Sequence, residues 1–261
     1  MTEIHIPTLA PETLFHIGKL PITNTMVNAW LAIVLFLTLG LLLRRRLSLR
    51  PGKFQNFCEY ILDLVMGYFD QVTGDRKKTI TFLPIVGSVF FFILLSNWLG
   101  LMPGTGSITV GHNFLFRPAN TDLNLTVAMA LVAVISSHVF GFFSIGFFTH
   151  LNKFFQLGTL VKSIKKGPIA IFTAIVEMAV GLIEIASEFA KVMSLSLRLF
   201  GNIFAGEVLM TVIASIFSAL LPTPFMLLEL MVGLIQASVF SILTLVYMTV
   251  ASAKPHGNEE H

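Results

Sequence analysis

Five stretches of this chain are apolar over about 20 residues or more, the length a helix needs to cross a hydrocarbon layer about 30 Å thick. Such a run has one choice of shape. Strand or coil in hydrocarbon leaves N–H and C=O groups unpaired, whereas a helix pairs them within the segment. The runs are placed at 27–46, 80–102, 122–148, 168–220 and 225–253. Composition agrees: hydrophobic residues make up 55% and charged residues 12%, against about a quarter charged in a soluble domain. The expected fold is therefore an all-α membrane protein, a single integral unit over 1–261 with five crossing helices and an external N-terminal segment, 1–26.

The breaks between runs carry the organisation. The first span stops at Arg44-Arg45-Arg46, and Pro51 and Gly52 break the chain shortly after it. Over 51–73, Phe54, Phe57, Cys58, Ile61, Leu62, Val65 and Phe69 recur at helical spacing. Gln55, Asn56, Glu59, Asp63 and Asp70 cover much of the remaining surface, the pattern of an amphipathic helix lying at the interface. Gly74 ends it before Asp75-Arg76-Lys77-Lys78. Residues 103–121, rich in Gly, Thr, Ser, Asn and Pro, read as coil.

Basic residues set the orientation. Segment 44–79 holds eight (Arg44, Arg45, Arg46, Arg50, Lys53, Arg76, Lys77, Lys78) and 149–167 holds four (Lys153, Lys162, Lys165, Lys166), against Lys19 and Arg117 on the other side. The positive-inside rule then puts both rich loops in the cytoplasm, the N-terminus outside and the tail 254–261 in the cytoplasm. Basic residues confined to loops speak for a lipid bilayer as partner and against nucleic acid. One cysteine, Cys58, excludes an intramolecular disulfide. Residues 1–26 lack a basic n-region and a small-residue cleavage site, so no cleaved signal peptide is expected.

The last third is unusual. Residues 168–220 contain no internal proline and no turn chemistry between Leu182 and Phe200. A continuous helix there would run roughly 75 Å at 1.5 Å per residue, far more than the membrane is thick, which predicts one long, strongly tilted helix. Pro222-Thr223-Pro224 is read as a tight turn into the final helix, making a hairpin.

That hairpin holds the ionisable residues. Glu177, Glu184, Glu188, Lys191, Arg198 and Asn202 are separated by steps of 7, 4, 3, 7 and 4. At about 100° per residue they fall within an arc of roughly 80°. Glu207 lies on another side, and Glu229 and Gln236 share a face of the final helix with Tyr247. A charge near mid-membrane costs about 2.5–3.5 kcal/mol, so such a face is expected to meet water, a counter-charge or a protein partner. Arg198 cannot lose its proton and so serves only as a fixed cation; Glu207 and Glu229 can titrate.

Plainer readings compete. Glu188 and Lys191 can pair locally at i, i+3, Glu177 lies near the cytoplasmic end, and Gln236 fits interhelical hydrogen bonding. His138 and His150 read as packing or interfacial residues, and with His5, His16 and His112 they show no metal-ligand spacing. Gly104-Thr105-Gly106 is a poor phosphate cradle. Without a nucleophile–base set, nucleotide motif, metal or cofactor site, the chain reads as moving an ion rather than catalysing a reaction alone.

The segment Ser194-Leu-Ser-Leu-Arg198-Leu-Phe-Gly-Asn202-Ile-Phe-Ala-Gly-Glu207 resembles the signature of subunit a of F-type ATP synthases. Leu95-Ser-Asn-Trp-Leu-Gly-Leu-Met-Pro-Gly104, Asp122-Leu-Asn-Leu and the Gln236 helix ending in Tyr247 extend the resemblance over most of the chain from about residue 50. It implies a stator in a bacterial inner membrane, with two aqueous half-channels serving the carboxylates of a rotating c-ring, and with peripheral-stalk b subunits as further partners. Arg198 would face those carboxylates and block leakage between the half-channels. Asn202, Glu207 and Gln236 would line the periplasmic route, Glu184 the cytoplasmic exit, and Ser194 lies one turn before the arginine. Glu188, Lys191 and Tyr247 are weaker candidates. Where some bacterial members have histidine, this chain has Glu229, and Glu207 with Glu229 forms a carboxylate pair able to share a proton.

Other classes fit less well. A redox-pump subunit should show Lys and Glu pairs in more than one hairpin, and a substrate transporter should show interrupted spans in corresponding halves. A membrane scaffold would not align its charges.

Overall fold

The computed structural model describes residues 8–45, 47–102, 108–110, 113–147, 168–216 and 222–253. In chain order these form β1 (Thr13–Ile17), β2 (Leu20–Thr23), α1 (Asn24–Arg45), α2 (Lys53–Thr73) and α3 (Arg76–Gly100). Next come β3 (Thr109–Val110), β4 (Asn113–Phe114), a 3-10 turn (Ala119–Thr121), α4 (Leu123–Ile145), α5 (Pro168–Ile216) and α6 (Pro222–Ser252). Five helices, all but α2, are long and apolar enough to cross a membrane.

Local chemistry explains the boundaries. Gly74 closes α2 in the left-handed conformation at φ 65°, donating its N–H to the Asp70 carbonyl, a geometry that favours glycine. Asp75 then caps α3 by accepting from the Lys77 N–H at 2.9 Å, and Asp122 caps α4 by accepting from the Asn124 N–H at 2.9 Å. Pro222 and Pro224 belong to the first turn of α6 rather than to a preceding turn, because a missing N–H is no loss where it has no helical partner.

Two other expectations change. The first helix begins at Asn24, and β1 pairs antiparallel with β2 ahead of it. Asn24 and Thr25 fall outside the apolar run read from the sequence, yet they are buried in the fold together with Asn28. Thr25 Oγ1 donates to Asp122 Oδ2 at 3.3 Å, and Asn28 Nδ2 donates to the Arg117 carbonyl at 2.8 Å. The segment read as coil also carries the β3–β4 pairing, and its end is buried at Arg117, Ala119, Asn120 and Thr121. Residues 104–106, the basic loop 149–167, the tail 254–261, His5, His112 and His150 lie outside the described residues, as does the side chain of Glu177.

Packing centres on α6, which lies against α3, α4 and α5. Ala130, Ala133 and Ala237 are fully buried there, small side chains that let helices approach closely. Phe82 and Phe140 meet edge to face at 5.2 Å. On α5, Leu195, Leu199 and Ile203 turn inward, while Phe189, Met193, Leu197 and Leu209 are exposed. α5 is one helix of 49 residues, roughly 74 Å long by its rise.

Candidate functional site

Two polar clusters form at different levels of the α5–α6 pair. The first lies where α3 ends and α6 begins. Asn97, 2% exposed, donates from Nδ2 to the Gly233 carbonyl at 3.3 Å and accepts from Asn120 Nδ2 at 2.7 Å. Trp98 Nε1 donates to the Leu230 carbonyl at 3.1 Å. These bonds fix α3 to the turn of α6 that carries Glu229.

Glu229 is 6% exposed, and its carboxyl lies over the backbone of Gly206, where any Cβ would collide with it. It makes no hydrogen bond or ion pair with a described residue. A cavity of about 20 Å³, room for one water molecule, is lined by Asn97, Leu101, Pro118, Ile203, Glu207 and Glu229. Glu207 is held differently. Arg117 Nε lies 2.8 Å from its Oε1 and 3.0 Å from its Oε2. A buried carboxyl beside water-sized space can exchange a proton with that water; a carboxylate gripped by guanidinium supplies fixed negative charge.

The second cluster is about 19 residues earlier on α5, a rise of roughly 28 Å. Lys191 Nζ lies 2.6 Å from Glu188 Oε1 and 5.1 Å from the centre of the Tyr247 ring. His138 Nε2 of α4 lies 3.4 Å from Glu188 Oε2. The i, i+3 pair is thus built into a four-residue group from three helices, and His138, read as a packing residue, belongs to it.

Arg198 lies between the clusters, 10 residues from Glu188 and 9 from Glu207. It is exposed, its Nη2 donates to Ser194 Oγ at 3.2 Å, and it meets no carboxylate among the described residues. Asn202 is exposed one turn on; Glu184 and Gln236 are half-buried. The six-residue stripe is therefore divided: Glu188 and Lys191 turn towards α4 and α6, whereas Arg198 and Asn202 stay on the open face. Glu207, nine residues from Arg198, is about 180° round the helix.

Sequence reasoning missed Arg117, counted only for topology, although it is the one Asp, Glu, Lys or Arg in 101–121. It also missed the pinning role of Asn97 and the space Gly206 leaves for Glu229, neither of which has a periodic signal.

Comparison with known proteins bears on this arrangement. The family model for the ATP synthase A chain matches residues 26–249. ATP synthase subunit a of Moorella thermoacetica is 33% identical over 238 residues, 91% of this chain and 94% of that one. The subunit a of Gloeobacter violaceus is 34% identical over 225 residues, covering 86% and 82%. That of Trichlorobacter lovleyi is 31% identical over 245 residues, covering 94% of each. A match along nearly the whole length, in a chain with five helices fit to span a membrane, makes this protein a member of the ATP synthase A chain family.

Proposed function

We propose that this chain is the stator subunit through which protons reach and leave the rotor of an F-type ATP synthase, coupling proton motive force to ATP synthesis. It is not catalytic alone. Glu207, Glu229, Asn202 and Gln236 serve a half-channel from the outer face, and Glu184, with Glu188, Lys191 and Tyr247, the half-channel to the cytoplasm. Arg198, supported by Ser194, is the fixed charge between them and faces the carboxylates of the c-ring; peripheral-stalk b subunits complete the stator. The chain is a multi-pass protein of a bacterial inner membrane, N-terminus outside and C-terminus cytoplasmic, with α5 steeply tilted so that about 74 Å of helix fits the bilayer.

The observation that carries this reading is the spacing on α5: two polar clusters roughly 28 Å apart, with an exposed guanidinium near the midpoint on the opposite side from Glu207. A permanent cation that meets no carboxylate among the described residues is suited to a mobile carboxylate from outside the chain.

Arg198→Ala is the test. The side chain is exposed with a single hydroxyl partner, so its loss should change stability by no more than about 0.5 kcal/mol. ATP-driven proton pumping in inverted vesicles should disappear while the assembled complex remains; continued pumping overturns the proposal.

A further inference from the structure

The outer cluster contains two carboxyls held in opposite ways, and the difference lies in Arg117. This guanidinium is 5% exposed and all three of its nitrogens are occupied. Nε bridges both oxygens of Glu207, Nη2 donates to the Thr8 carbonyl at 2.8 Å, and Nη1 to the Ala10 carbonyl at 3.3 Å. Phe204, three residues before Glu207, sets its ring 5.9 Å from the guanidinium carbon. The Arg117 backbone is clamped too, since its carbonyl accepts from Asn28 Nδ2 at 2.8 Å.

We propose that Arg117 is a positioning residue of the outer ion path: it holds Glu207 as a permanent, fixed anion, leaving Glu229 as the carboxyl that carries the proton. This rests on the function proposed above. Arginine stays protonated at any working pH, so a proton binding to Glu207 would have to break a buried ion pair whose cation cannot leave. Glu229 has no such competitor and borders the same water-sized cavity. In the transfer, a hydronium in the cavity gives its proton to the Glu229 carboxylate, forming an O–H bond and leaving water. That bond breaks when the proton passes to the next acceptor, and Glu229 returns to the carboxylate. Arg117 and Glu207 keep their charges throughout. Among the described residues, the other acidic groups on this side are Glu12, ahead of β1, and Asp122, engaged by Thr25 and the Asn124 N–H. The same guanidinium rivets the segment around Thr8 and Ala10 to the channel wall.

The test is a charge-deletion cycle in the complete complex, reading ATP-driven proton pumping per assembled complex. Arg117→Gln strands a buried anion and Glu207→Gln a buried cation, so each should lower pumping by about tenfold or more. The double variant removes both charges and should recover several-fold over either single change. Arg117→Lys, which keeps the cation, should stay well above Arg117→Gln. Glu229→Gln should stop pumping in every background. The inference is overturned if the double variant pumps no better than the singles or fails to assemble, because no buried ion then remains to explain the loss. It is equally overturned if Glu229→Gln still pumps while Glu207→Gln does not. Arg198→Ala in the same set separates the cases: pumping there refutes the function proposed above, whereas its loss with a failed rescue refutes only the role of Arg117.

Discussion

Replacing Gly206 with alanine puts a methyl group where the Glu229 carboxyl lies, overlapping both of its oxygens. The obstacle is the end of a flexible side chain, so the helices need not part; Glu229 moves instead. Forcing extra volume into a packed site costs about 1–3 kcal/mol, and alanine regains up to about 1 kcal/mol over glycine inside a helix. Net stability should therefore fall by no more than about 3 kcal/mol, and by about 2 kcal/mol at most if the full helix gain is realised. Occupancy of the native carboxyl position falls much further, because 1–3 kcal/mol corresponds to about 5- to 150-fold. If the proton passes through that position, pumping in inverted vesicles, normalised to assembled complex, should drop at least about fivefold by the same conversion. The side chain introduced by Glu229→Asp is one methylene shorter and withdraws from the new methyl, so Gly206→Ala should do less damage in that background. Full pumping by Gly206→Ala, or an undiminished loss when Glu229→Asp is also present, would refute the reasoning.

Two further outcomes arise from the scaffold. A Cβ at Gly100 would lie 2.8 Å from the Pro118 Cα, a backbone atom that cannot rotate away. Gly100→Ala should thus destabilise the junction carrying Arg117 by about 1–3 kcal/mol, read as a lower detergent-unfolding temperature. At the α2–α3 corner, the Thr79 hydroxyl and the Arg76 guanidinium, at 2.6 Å, hold the Asp70 carboxyl below the 3.8 of a free aspartate. A depressed folded pKa gives stabilisation that is present above the unfolded value and lost as pH falls through the folded one. Amide-exchange protection at this corner should accordingly fall below about pH 4 and lose that pH dependence in Asp70→Asn.

The spans are legible because hydrocarbon leaves the backbone no alternative to helix, so hydropathy alone locates them. Their edges are not, where polar residues are buried by distant partners. Thr25 and Asn28 sit buried at the start of α1 because Asp122 and the Arg117 backbone, about 90 residues away, receive their hydrogen bonds, while the Asn24 N–H donates to the Glu12 carbonyl at 3.1 Å. Periodicity correctly separates Glu207 from the other ionisable residues of α5, but it groups Glu188 with Arg198. Angle alone does not divide the stripe, since Lys191 and Arg198, seven residues apart, lie within about 20°; what differs is the level along α5 at which His138 and Tyr247 are met. Arg117 defeats sequence reading for a simpler reason: its carboxylate is 90 positions downstream, and no local pattern announces a tertiary ion pair.

The open side of α5 bears on how the protein is assembled. Leu197 beside Arg198, with Met193 and Leu209 along the same helix, would face acyl chains in an unaccompanied copy, and the guanidinium would sit among them. Insertion scales put that burden at about 2.5–3.5 kcal/mol. A neighbour that offers an anionic group removes it and gains up to about 60- to 300-fold in affinity, since 1.4 kcal/mol is tenfold. If Arg198 faces the rotor as proposed, the discomfort of the solitary subunit becomes an attraction towards that partner.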